Sequence, residues 1–339
     1  MYICKENFVE LLKTNEVTMR KLMCFSFGIL FISSFANCSN AQNRREEATQ
    51  LKEMKSEKVV RNIEKGKAIA FVNTIFEGDL DLSQTGEPFV SSISHTTTEI
   101  HQDIFFYNCV FLGNVSTNGK LEDGKTKCRT RFNGNVCFSE CDFRKDVDFS
   151  DAEVKGNLSF EKSKFHAKTS FNGILVEGRN AQFYEIEATE NFDFASATIR
   201  GNLNFMDAKF DKRLNFSGLK VQNINLNNLE VEKRFALSES VVEGILQINY
   251  ANFKDECQLS FSRFSDRVEI RHSVFEKLFS IENSHFTYKA NFSNSKFADS
   301  LITKEAVFWM TPEMKDIERT SPEPIYVEVK SSNTILISQ

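Results

Sequence analysis

Ser240–Phe297, cut every eleven residues, reads SVVEGILQINY, ANFKDECQLSF, SRFSDRVEIRH, SVFEKLFSIEN, SHFTYKANFSN and then SKF. Each line opens on a small residue: Ser240, Ala251, Ser262, Ser273, Ser284 and finally Ser295. Two places on stands a large apolar one, at Val242, Phe253, Phe264, Phe275, Phe286 and Phe297. A second apolar column follows at Ile248, Leu259, Ile270, Ile281 and Phe292. A period held this long marks a repeat architecture.

The steps between large residues alternate between five and six. An amphipathic helix needs three–four spacing instead. Small-x-large followed by a polar pair or triplet describes a very short strand bounded by turns, with residues i−2 and i on the same side. Wound into coils, such strands hydrogen-bond to those above and below, about 4.8 Å apart. The i−2 residue is small because it shares a crowded interior with the large column. Corner residues such as Gly156-Asn157 and Gly201-Asn202 are expected to supply positive φ.

The frame extends in both directions. It begins at Thr74/Phe76 and Leu80/Leu82, and breaks over 83–103, where Gly-Glu-Pro and alternating β-formers predict an inserted hairpin or loop. It resumes at Ile104/Phe106, Cys109/Phe111 and Val115/Thr117. A second insertion, 118–129, is Gly- and charge-rich and reads as a surface loop. From Thr130/Phe132 the units run to Ala306/Phe308. An extra residue falls near Gly178–Asn180, the unit after Ala181/Phe183 is read at Phe192/Phe194, and one residue is missing before Ile224/Leu226.

Units of the form F-x-x-A/S-x-F-x-x-x-V/L-x-F over residues 74–308 resemble the pentapeptide repeat family. The resemblance implies an all-β chain wound as a right-handed quadrilateral parallel β-helix (a solenoid), assigned to 59–308. At two elevens per coil it predicts about nine coils and a rod near 40 Å.

The flanks read differently. Arg20 and Lys21 precede an apolar stretch, Leu22–Phe35, of signal-peptide length, and Met19 makes a more ordinary start than Met1. The small residues running into Cys38 resemble the lipobox of bacterial lipoproteins, with Asn37 and Phe35 departing from its usual residues. The resemblance implies cleavage after residue 37, lipidation of Cys38, and an envelope protein facing the periplasm or the cell surface. A plain cleaved signal peptide or an N-terminal anchor helix is the alternative. Residues 39–58 read as a polar tether or charged helix, and 57–66 as a capping helix stopped by Gly66. Residues 309–339 read as a C-terminal cap or tail, with Trp309, Met310 and Ile317 over the last coil.

The chain carries 42 basic and 47 acidic residues, a net charge of −5, which is neither a basic footprint for nucleic acid nor a strong acidic excess. Most of its 34 Phe fall in the columns, which explains so much Phe in a chain of negative mean hydropathy. Cys109 and Cys141 both stand at i−2 positions and are candidates for a disulfide between neighbouring coils. The alternative for them and for Cys257 is a small buried residue. Cys128 and Cys137 are placed at or near the surface, and with Cys141 they lack zinc spacing. The five His do not cluster, and Asp146/Asp148 flank an inward Val147. No phosphate loop or nucleophile motif appears.

The expectation is therefore a non-catalytic, membrane-anchored scaffold with no cofactor and protein or glycan partners. A glycan-binding or glycan-active β-helix is the alternative. An acidic DNA mimic that binds a topoisomerase is a third reading.

Overall fold

The computed structural model describes residues 51–339 apart from 84, 86–88, 93–94, 121–126, 321–324, 331–333 and 339. The leader, Cys38 and most of the tether lie outside the described residues. Over the described part the chain is a parallel β-solenoid with a single helix, Glu57–Glu64. Its strands form sheets of 12, 22 and 10 strands, and the first sheet gains one strand per turn. Twelve rungs replace the expected nine. Three sources account for the difference: Lys52–Lys55 pairs in parallel with Thr74–Glu77, the insertion-bearing rungs continue the stack, and Glu318–Arg319 pairs with Lys296–Phe297. The tether reading thus ends before Lys52, whose backbone N–H donates to Asn73 O at 2.9 Å.

The interior follows the small-x-large pattern. Strands Val110–Phe111, Asp142–Phe143 and Lys164–Phe165 pair in register. Their rings stack at 5.1 and 5.0 Å, within 9° of parallel. Phe106, Phe138, Phe160, Phe183 and Phe205 form a second column spaced 4.8–5.4 Å. One unit was not legible in the frame: Ile186/Ala188, where strand Glu187–Ala188 sits between Phe165 and Phe210. Ala188 leaves room in the Phe column, and Phe192 fills it from the adjacent side, its ring 5.2 Å from Phe165 and 5.3 Å from Phe210. Ile174/Val176, Leu219/Val221 and Leu229/Val231 show the same exchange, a larger i−2 residue beside a smaller i residue, all buried. Constant volume per rung, rather than a small residue as such, is what close packing requires.

The corners differ from expectation. Positive φ falls on the residue just before the small one, at Asp151, Ser196, Glu239, Asn283 and their equivalents, and not at Gly156 or Gly201. Those two glycines answer to close approach instead. A Cβ on Gly156 would lie 2.5 Å from Gly134 O, and one on Gly201 2.1 Å from Arg179 O. The extra residue near 178–180 and the missing one before Ile224 appear as pairings Leu158↔Ala181 and Leu203↔Ile224, the latter with a register shift after Ile199.

The C-terminal end is also corrected. Trp309 and Met310 are exposed and do not cover the last coil. Ile325–Val329 stacks on Val307–Phe308 and turns back as a hairpin with Thr334–Ser338, while Ile317 packs on the core.

Candidate functional site: the sheet built from two insertions

The regular rungs give every outward residue nearly the same surroundings, so departures from them are the places to search. The two insertions lie 14 residues apart in sequence, between 103 and 118, and the winding brings them together. Phe89–Ser92 and His95–Ile100 form an antiparallel hairpin, as do Asn118–Lys120 and Lys127–Phe132. The hairpins then join through a six-residue parallel pairing, His95↔Lys127 to Ile100↔Phe132. The expected surface loop at 118–129 is therefore half strand. Neither insertion announced its partner, because the pairing is set by the winding of the rung between them, His95 lying over Lys127, rather than by local pattern.

Beneath this sheet the packing is polar. Thr98 Oγ1 donates to Ser83 O at 2.8 Å, and Cys128 Sγ reaches the same carbonyl at 2.7 Å. Thr130 Oγ1 donates to Thr117 O at 2.7 Å, and Thr85 Oγ1 to Leu82 O at 2.8 Å. All of these side chains are buried, so Cys128 is an interior thiol and not the surface residue expected. Each hydroxyl takes up a backbone carbonyl that the interrupted rungs would leave without a partner.

The outer surface is charged. Arg131 lies between Glu99 at 3.0 Å and Glu153 at 2.8 Å. The Arg131 hydrogen bond holds Glu99 below the usual carboxylate range, and the bond to Glu153 raises Arg131. Asn133 Nδ2 donates to Glu99 at 3.3 Å and lies 2.9 Å from His101 Nδ1.

The cysteines expected to pair are brought together. The pairing Val110↔Asp142 puts Cys141 one rung above Cys109, and both are free thiols. Cys109 Sγ donates to Tyr107 O at 3.4 Å and Cys141 Sγ to Ser139 O at 3.4 Å. Burial pushes the Cys141 thiol well above its ordinary pKa, and it does the same to Cys257. His101, His166, His272 and His285 are exposed on separate sites. Asp146 and Asp148 are used in corners, accepting from Lys168 N at 3.2 Å and Ser150 N at 2.9 Å. Among the described residues no three His, Cys, Asp or Glu converge as metal ligands.

Residues 129–174 match the family model of the pentapeptide repeats (9 copies). The matched stretch starts within the inserted sheet and runs through the first clean rungs. No curated protein and no solved structure matches the chain. Within that stretch the inserted sheet pairs with the next rung through Arg131↔Glu153 and Phe132↔Val154.

Proposed function

We propose that this protein is a non-catalytic binding scaffold, held at a bacterial envelope through a lipid on Cys38 and presenting the sides of a right-handed, quadrilateral solenoid. The helix Glu57–Glu64 acts as its N-terminal cap, burying Val59 and Ile63 against the first rungs, as solenoid ends require. The resemblance to pentapeptide repeats supports the handedness and the four-sided section.

The use of the outward polar groups carries the reading. They bond to their own equivalents one rung away: Asp103 Oδ1 accepts from Asn135 N at 2.6 Å, Asn135 Oδ1 from Asn157 N at 2.9 Å, and Asn157 Oδ1 from Asn180 N at 3.0 Å. Groups tied into axial ladders support a rigid surface rather than a convergent reacting site. Along another side Lys164, Glu187, Lys209 and Glu230 alternate in sign, with ion pairs at 2.9 and 3.3 Å. That alternation favours a general scaffold over an acidic, DNA-like rod.

Mass spectrometry of the protein recovered from bacterial membranes tests the anchor. The expected N-terminus is a diacylglyceryl-modified Cys38, and an intact Met1 in the soluble fraction contradicts it. Incubating the full chain with a polysaccharide panel tests the absence of catalysis, and new reducing ends above a blank contradict it.

A further inference from the structure

Four successive rungs on one side read NAQFY (180–184), NLNFM (202–206), NINLN (223–227) and ILQIN (245–249). The second and fourth residue of each is buried, so the first, third and fifth face outward. Nine of these twelve outward residues are Asn or Gln, and none is charged. Only Asn249 among them is buried. Charge returns on the rung before, at Glu161, and on the rung after, at Arg267, Glu269 and Arg271.

The amides are linked along the rod. Asn204 Nδ2 donates to Gln182 Oε1 at 3.0 Å, Asn202 Nδ2 to Asn180 Oδ1 at 3.2 Å, and Asn223 Nδ2 to Asn202 Oδ1 at 2.8 Å. Each such bond uses one of the two N–H groups an amide carries. The Oδ1 atoms of Asn204, Asn223, Asn225 and Asn227 also accept from backbone N–H groups, so the field offers a ligand its remaining N–H donors and second carbonyl lone pairs, over about 14 Å with a repeat of about 4.8 Å.

A second observation lies at the corner of this field. Tyr250 is held at φ 59 with its side chain out in solvent, its residue exposure being 63%. The same left-handed corner recurs along this side at Glu185, Asp207, Asn228 and His272, so the conformation belongs to the winding, and what sets Tyr250 apart within the field is an aromatic ring held in solvent. His272 stacks on it at 4.8 Å, 2° from parallel. Two exposed rings stacked on one another leave an aromatic surface in solvent beside the amides.

We propose that this face binds a neutral, extended, β-linked polysaccharide lying along the rod. Sugar hydroxyls are both donors and acceptors, as the amides are. They recur along an extended chain at an interval close to the rung repeat. Lack of charge on the field matches lack of charge on the ligand, and the Tyr250 ring offers an aromatic edge to sugar C–H groups. This assignment rests on the scaffold reading and names its ligand class.

Affinity electrophoresis of the full-length chain, in detergent, tests it. The gels contain hydroxyethyl cellulose, which is neutral and β-linked, or alginate, which is anionic. Retardation by hydroxyethyl cellulose alone is expected. It should weaken at least tenfold in Asn225→Asp/Gln247→Glu and in Tyr250→Ala, with melting curves unchanged. No retardation of the folded chain, equal retardation by alginate, or retardation untouched by both variants overturns the proposal. So does a dimer in sedimentation that the same variants disperse, since the face would then join copies of this chain. None of these results alters the N-terminal mass spectrum or the reducing-end assay, so the scaffold reading stands or falls separately.

Discussion

The hydroxyl of Ser284 accepts a hydrogen bond from the backbone N–H of Ser262, one rung below, at 3.1 Å. The same hydroxyl donates to Leu259 O at 2.7 Å. Ser262, Ser273 and Ser295 repeat the donation to Leu237, Ile248 and Ile270, at 2.6–2.8 Å. The small column is thus also a polar spine inside an apolar rod, placed where the chain turns and its backbone groups leave the ladders.

Ser284→Ala leaves the Ser262 N–H and the Leu259 carbonyl without that partner. Loss of about 1 kcal/mol of stability is expected, read as a lower urea midpoint at unchanged slope. A variant with the wild-type midpoint would show that the spine contributes only bulk.

Phe264 is fully buried, stacked on Phe286 at 5.0 Å. Phe264→Asp puts a charge there with no partner, which costs several kcal/mol. Loss of the single cooperative melting transition is expected by circular dichroism, with the C-terminal rungs losing amide protection first.

Much of this interior was legible because stacking repeats the same side chain every 22 residues, as from Phe253 to Phe275 to Phe297. Ile186/Ala188 escaped because volume moved to Phe192, a neighbour on the adjacent side. The corners escaped because the positive-φ position accepts Asn, Asp, Glu, Lys, Tyr or His, as at Tyr250 and His272, and so leaves no residue signature. The joining of the two insertions was invisible because it depends on register, and the amide field because outward residues follow no interior rule.

Tyr107 and Tyr184 titrate late. Burial, with a hydrogen bond to Glu140, pushes Tyr107 up to about 12. Burial next to Glu161 raises Tyr184 further. The fold therefore favours their neutral forms. That contribution is complete below pH 10, the ordinary tyrosine value, and is lost as pH rises through 12. Tyrosinate absorbance at pH 11 should show at least two of the six Tyr unionised in the folded chain and none after unfolding.

Arg131 couples the inserted sheet to the regular rungs through Glu99 and Glu153. Arg131→Ala should cost about 1 kcal/mol or less globally, while amide exchange in His95–Ile100 quickens. Glu99, held low mainly by Arg131, contributes above the ordinary carboxylate range and stops contributing as pH falls through its lowered value. Acid should therefore speed exchange in this strand before the Phe columns melt. Simultaneous loss of both would mean the sheet is part of the core.

The winding itself is tested most directly by distances between spin labels, with half-exposed Cys137 first replaced by Ser. Lys164 and Lys296 stand six rungs apart in one column of outward residues, and Lys209 and Lys296 four. Labels on Lys164→Cys/Lys296→Cys should lie about 10 Å farther apart than those on Lys209→Cys/Lys296→Cys, two rungs at about 4.8 Å each. Equal distances, or a shorter one for the longer sequence separation, would contradict a 22-residue parallel winding.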